Sequence, residues 1–348
     1  MAQAGTAWSQ TTFGAEGAQW HWNQEVKEAT RLLYEDSERG TKWQNMVNQG
    51  VWPEAVGKLA HGEAAMARQR LLEMCKRKEG AVETEYLQQI TKEEWEKYWK
   101  GKGRETSPGM SGTGPDLWKA APEWFHNIAR QVYSVVIRLA VFPEQWKNEV
   151  IVPVSKSGAA SFVAADLRPI KLLEVSKKAV LSIVKERIRV DLETKHLLDL
   201  AQHGFRAGRS THSAALLVLQ LYEQARKNKV ELHGVFLDIK KAYDTVEKGV
   251  GKGIALGRMG VGRSTINLFM TADRGNRNSF RHGWEELRKR EGNPSETFEA
   301  IRGFPQGAAE SPLLWIIFYD MVICQLKREG VGASVLTPGT YGQGATLG

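Results

Sequence analysis

Apolar positions along this chain keep a helical period at first and then alternate between helical and strand periods. From about Asn23 to Lys100, Val26, Ala29, Leu32 and Leu33 make one helical stripe. Met66, Gln69, Leu72 and Cys75 make a weaker one, with Pro53 and Gly57 as punctuation. Ser107 to Pro115, SPGMSGTGP, breaks this pattern as either a plain linker or a shaped loop, and Leu117 to Leu139 resumes a helical period. Glu149 to Val154 (EVIVPV) predicts a short strand ended by a turn at Lys156. Leu172, Val175, Ala179, Ile183 and Ile188 predict a long helix after Arg168-Pro169-Ile170. Leu232 to Ile239 predicts a strand, and the chain turns helical from Lys240. Ser311 as N-cap and Pro312 at the first helical position open a last helix, apolar nearly all round and so expected to be buried. Alternation of helices and strands through the second half predicts a mixed α/β (α+β) domain.

Before these elements, residues 1–22 lack a sustained apolar period and read as a mobile leader. Its three tryptophans, Trp8, Trp20 and Trp22, imply that part of it docks on this chain or on a partner.

Composition narrows the class. The 348 residues are 42% hydrophobic and 25% charged, enough for globular units with real cores. A net charge of +8 favours a polyanionic partner. Its distribution sharpens that: Arg168 to Lys229 holds thirteen Lys and Arg against six Asp and Glu. A solvated basic helix surface is the plainer explanation of such a run. Cys75 and Cys324 are isolated, so no disulfide framework or zinc site is readable, and a reducing intracellular compartment fits. The N-terminus lacks the features of a secretory signal, and the longest apolar stretch, Leu313 to Cys324, is too short to span a bilayer and contains Asp320. A soluble protein without a membrane partner is expected.

Chemistry concentrates at Gly234 to Val246, GVFLDIKKAYDTV, where Asp238 ends an apolar run. A strand end of this kind projects a carboxylate to a metal ion, while a plain helix cap before Lys240 explains the same aspartate. Tyr243 reads equally as a core aromatic. The glycine-rich GVGKGIALG, from Gly249, lacks the spacing of a phosphate loop and reads as a permissive loop.

Several segments taken together carry a family resemblance. FLDIKKAYDTV, ending at Val246, resembles motif A of reverse transcriptases, and RGFPQGAAESPLL, from Arg302, resembles their motif B. DLRPIKLLEVSKKAV, from Asp166, and HGFRAGRSTHSAAL, from His203, resemble the finger motifs of non-LTR retrotransposons. IVPVSKSG, from Ile151, is similar to the strand that precedes them, and SPGMSG, from Ser107, to the element that opens the polymerase domain. The resemblance runs from about Glu85 to Leu326 and implies right-hand fingers and a partial palm behind a helical N-terminal extension. The implied organisation is a leader at 1–22, a helical extension at 23–105, fingers at 106–230, a partial palm at 231–330 and a Gly-rich tail at 331–348.

The resemblance also implies roles. Asp238 is the catalytic carboxylate and first metal ligand, helped by the backbone carbonyl of Ile239. Lys156 and Arg168 touch the incoming triphosphate, Tyr243 screens the ribose 2′-hydroxyl, and Gln306 and Gly307 lie beside the nucleotide. Gly204, Phe205, Arg206 and Arg209 approach the template. Mg²⁺ or Mn²⁺ would serve a two-metal nucleotidyl transfer using an RNA template, a DNA primer and deoxynucleoside triphosphates. A nuclear location follows if the element is eukaryotic.

One expected part is missing. A Tyr-x-Asp-Asp hairpin should follow motif B, yet the sequence contains no Asp-Asp and no aspartate after Asp320. The expectation is a fragmentary reverse transcriptase reading frame, inactive alone, with a palm strand left unpaired. The alternatives are a non-catalytic nucleic-acid-binding derivative and a polymerase completed by a partner chain.

Overall fold

A computed structural model describes residues 70–103, 107–156, 166–234, 236–239, 241–282, 285–286, 297–300, 302–330, 333–335 and 345–347. The leader and residues 23–69 of the expected helical extension lie outside the described residues. So does the helical stripe from Val26 to Leu33.

Helix α1 (Lys92–Lys100) opens with a capping box, in which the Thr91 side chain accepts from the Glu94 amide and the Glu94 carboxylate accepts from the Thr91 amide. The apolar run from Leu117 to Leu139 forms two helices, α2 (Pro115–Ala120) and α3 (Glu123–Leu139), because Pro122 forces extended backbone between them. The preceding SPGMSG segment is a shaped loop. Glu174 accepts from the Ser111 amide at 2.8 Å and from its hydroxyl at 2.7 Å, holding the loop against the start of α4 (Val175–Thr194).

Strand β1 (Asn148–Ser155) pairs antiparallel with β2 (Leu167–Leu172) and parallel with β3 (Arg277–His282), which pairs with β4 (Glu285–Glu286). The sheet order is β2-β1-β3-β4. Long helices and a mixed sheet make this an α/β fold, as the periodicity predicts. α4 and α9 (Ser311–Arg328), joined by α1 and α3, supply most of the hydrophobic core. At α9 the cap is Glu310, and the Ser311 hydroxyl instead donates to the Pro305 carbonyl at 2.7 Å. The helix is buried along most of its length, as its sequence requires.

Between these elements lie α5 (Thr211–Asn228), α6 (Ala242–Thr245), a π-helical turn (Gly249–Ile254), α7 (Ala255–Arg258) and α8 (Arg263–Thr271). The glycine-rich segment expected to be a permissive loop is therefore helical. Gly251 packs where a Cβ would meet Val246 and Phe304 side chains at 2.5 and 2.6 Å, so only glycine admits this close helical packing. A two-stranded hairpin, β5 (Ala333–Val335) with β6 (Ala345–Leu347), lies in the Gly-rich tail. No helix among the described residues is long and apolar enough to cross a membrane.

The largest departure from expectation is Leu232 to Ile239. Its described residues are irregular and form no strand, and Phe236 is 98% exposed. A strand exists by virtue of inter-strand hydrogen bonds, and an apolar run without a partner strand has none.

Candidate functional site

The motif B loop sits on the turn that follows Asp238. The Gly303 amide donates to the Val246 carbonyl at 2.8 Å, and the Phe304 amide to the Tyr243 carbonyl at 2.9 Å. Gly303 has φ 86°, and a Cβ there would lie 3.0 Å from Tyr243 O. The Tyr243 ring packs between Phe304 and Trp315, with centroids 6.4 and 5.7 Å away. It remains half-buried, so the aromatic is neither wholly core nor wholly free. Burial raises its hydroxyl pKa.

On the other side, the loop clasps β2. The Lys171 amide donates to the Gln306 carbonyl at 2.6 Å. Gly307 adopts φ 111°, where an added Cβ would sit 2.5 Å from the Lys171 carbonyl oxygen. Gln306 Nε2 donates to Asp244 Oδ1 at 3.0 Å, so Asp244 braces the loop.

Arg168 and Lys156 lie at the other end of the β1–β2 hairpin. Val154 is the register partner of Arg168, and the Lys156 amide donates to Asp166 O at 2.9 Å. Alternation then puts Lys156, Val154 and Arg168 on one face of the hairpin. Both cations are exposed. Arg168 is three residues from Lys171, roughly 10 Å along the strand, so the basic hairpin end and the motif B loop border the same region.

Beneath this surface is a buried polar network that sequence reasoning missed. Glu149 on β1 accepts from Lys177 Nζ at 2.7 Å, from Lys171 Nζ at 3.1 Å and from Asn276 Nδ2 at 2.8 Å. Lys171 thus holds Gln306 through its backbone and Glu149 through its side chain. Lys177 falls on the apolar stripe of α4 with Val180, Leu181 and Val184, and a lysine on such a stripe was the available signal. Nearby, Lys252 Nζ donates to Asp273 Oδ2 at 2.6 Å. Burial alone would raise the Asp273 pKa, but the charges of Lys252 and Lys248 prevail and hold it down at about 2. Glu310 is likewise buried, and desolvation raises its pKa despite Lys252.

Asp320 forms a second buried hub. It accepts from Arg258 Nη1 at 2.6 Å, from Lys78 Nζ at 2.9 Å and from the Asp199 amide at 2.8 Å. These bonds tie α9 to α7, to the segment before α1 and to the loop after α4.

The loop from His203 is divided in its roles. The Arg206 side chain is covered, with Nη2 2.6 Å and Nε 3.0 Å from the two Glu193 carboxylate oxygens, and Nη1 2.7 Å from Asp199 O. A guanidinium so committed shapes the loop. Arg209 donates to Leu200 O at 2.5 Å and stays partly exposed. Gly204 and Phe205 are exposed, Phe205 with φ 58° and 63% of its surface accessible.

Asp238 and Ile239 lie on the irregular segment described above, both exposed. Among the described residues no group of three or more His, Cys, Asp or Glu is arranged to hold a metal ion. Asp238 is one carboxylate, and Asp244 is engaged by Gln306. This donor set does not fit two hard cations, which need several oxygen ligands each.

Comparison with known proteins bears on what this arrangement belongs to. Residues 154–335, more than half of the chain, match the family "Reverse transcriptase (RNA-dependent DNA polymerase)". The chain is 29% identical over 140 residues to a probable RNA-directed DNA polymerase from transposon BS of Drosophila melanogaster, covering 40% of this chain and 16% of that protein. It is 32% identical over 128 residues to the corresponding probable polymerase of the X-element, covering 37% and 14%. A putative 115 kDa protein in the type-1 retrotransposable element R1DM is 29% identical over 229 residues, covering 64% and 20%. All three are Drosophila melanogaster proteins, and the chain spans a fifth or less of their length. With the motif B loop clasped between the Tyr243 turn and β2 inside the matched region, the chain belongs to the reverse transcriptase (RNA-dependent DNA polymerase) family, in its non-LTR retrotransposon type.

Proposed function

We propose that this chain provides the nucleotide- and template-recognition part of an RNA-directed DNA polymerase, with β1–β2 as fingers and the Tyr243 turn with α9 as palm. The carrying observation is the docking of the motif B loop onto both the Tyr243 turn and β2. In this reading Lys156 and Arg168 face the triphosphate as two cations on one hairpin face. The Tyr243 ring, fixed by Phe304 and Trp315, bounds the sugar and disfavours a 2′-hydroxyl. Gln306 and Gly307 present side-chain amide and bare backbone beside the base pair. Gly204, Phe205 and Arg209 approach the template, with Arg206 holding their loop in shape.

Asp238 and the Ile239 carbonyl are the contribution of this chain to a metal centre. Because the donor set does not fit two ions, we infer that these 348 residues do not catalyse nucleotide addition unaided, and that further carboxylates come from another segment or chain. Partners are an RNA template, a DNA primer and deoxynucleoside triphosphates.

The test is photo-crosslinking of a deoxynucleoside triphosphate to the chain on a primed RNA template. Crosslinking should exceed that of the matching ribonucleotide, fall about tenfold in Lys156→Ala/Arg168→Ala and lose its sugar preference in Tyr243→Ala. Equal crosslinking of both sugars by the unmodified chain would overturn the reading.

A further inference from the structure

A second, separate place in the fold has the chemistry of an anion site. Between α1 and α4 lies a cleft of about 730 Å³, whose walls carry both carboxylates and basic side chains. Each carboxylate on its walls already has a cation. Glu94 holds Arg187 in a two-pronged pair, both contacts at 2.6 Å. Glu186 holds Arg189 at 2.8 Å and Lys97 at 3.3 Å, and Asp191 holds Lys195 at 2.7 Å.

Two lysines on the same walls have no such partner. Lys102, just past the end of α1, and Lys185 on α4 make no ion pair among the described residues. Lys102 instead stands 4.5 Å over the Tyr98 ring, a weak substitute for a counter-ion. Burial first, then the charge of Lys185, lowers the Lys102 pKa, and burial with Lys102 lowers that of Lys178. Positions 178, 182 and 185 of α4 share one helical face. Between the two lysines on that face is Ser182, itself only 7% exposed, whose Oγ lines the cleft beside the Tyr98 hydroxyl. Neighbouring like charges without carboxylate partners are costly unless an anion with acceptor oxygens joins them.

We propose that the α1–α4 cleft binds a phosphate group of a nucleic-acid strand, with Lys102 and Lys185 supplying charge and Ser182 Oγ a hydrogen bond. A free polyphosphate has the same chemistry, and a backbone phosphate is favoured because the cleft also reaches Ala309, two residues from Gly307 in the motif B loop. A strand crossing Lys102 and Lys185 would therefore run toward that loop. The inference does not rest on catalysis, since its readout is binding.

The experiment is fluorescence anisotropy of a short labelled oligoribonucleotide titrated with the full chain at several salt concentrations. Lys102→Gln/Lys185→Gln should weaken binding about tenfold at low salt and reduce the salt slope by about 0.7, the value for one single-strand phosphate contact. Ser182→Ala should weaken binding several-fold. Lys147→Gln, outside the cleft and paired with Glu144, should change neither. In parallel, amine acylation of Lys102 read by mass spectrometry should be blocked by the oligoribonucleotide. Protection by pyrophosphate as well would show that the phosphate group alone suffices. Unchanged affinity and slope in the double variant, or acylation unaffected by either ligand, would overturn this proposal alone. A chain that binds no RNA at low salt would overturn it together with the polymerase reading.

Discussion

Helices α4 and α5 follow one another in the chain and are nearly equal in length, yet α4 buries ten residues and α5 none. Both are rich in apolar side chains. α4 has α1, α3 and the sheet around it, and even its Lys177 is buried against Glu149. α5 leaves Leu216, Leu219 and Tyr222 more than half exposed, and the described residues after it, through Leu237, are exposed too. Apolar content specifies what an element is able to bury, while burial itself needs a facing surface. The motif A segment shows the same rule for strands.

The comparison breaks most visibly at the buried polar hubs. Asp320→Ala removes the acceptor of Arg258, Lys78 and the Asp199 amide at once and leaves a buried guanidinium unpaired. The expected loss is about 3–5 kcal/mol, measured by urea denaturation followed by circular dichroism. A loss below about 1 kcal/mol would show that the hub is open to water, as α5 is.

Glu310 and Asp273 sharpen the contrast through pH. Asp273, held near 2 when folded, contributes stability that is fully present above an unfolded pKa near 4 and is lost as pH falls toward 2. Glu310 has the opposite sign: its raised folded pKa means that stability declines as pH rises above its unfolded value near 4.5. Glu310→Gln should therefore raise the urea midpoint at pH 7 and leave it almost unchanged at pH 4. An equal gain at both values would point to packing instead of ionisation.

The smallest effect is expected on the exposed side. Leu219→Ser should alter stability by less than about 0.5 kcal/mol, because the side chain is more than half exposed. A larger destabilisation, detected by the same urea titration, would show that this face is covered in solution.

Much of the fold could be read from local pattern. EVIVPV became the inner strand β1, the stripe from Leu172 to Ile188 became α4 from Val175 onward with Leu172 itself on β2, and the Ser311 region became a buried helix. The motif B residues were legible because glycine at Gly303 and Gly307 and a nearby glutamine form a short, contiguous signal. The clasp itself was not, since the Lys171 and Gln306 partners lie 135 positions apart. Arg206 was expected near a template because its segment resembles a finger motif, and its pairing with Glu193 on α4 was not legible because it needs the loop to fold back. The ion pairs of Lys177, Asp320 and Lys252 were hidden for the same reason, although a charge on an apolar helical stripe marked the first two.

By itself the sequence determined where β1, most of α4 and α9 form, which family the motifs resemble, and that Asp238 and Asp244 are the carboxylates of the Gly234–Val246 segment. These follow from side-chain periodicity, glycine and proline geometry and charge, all local properties. Tertiary structure alone decided which charges are buried and paired, that the Gly249 segment is helical, that Lys102 and Lys185 share a cleft, and that the motif A run stays unpaired. Those outcomes depend on which surfaces meet through space, and an apolar or charged residue acquires its energy only from the neighbour it meets.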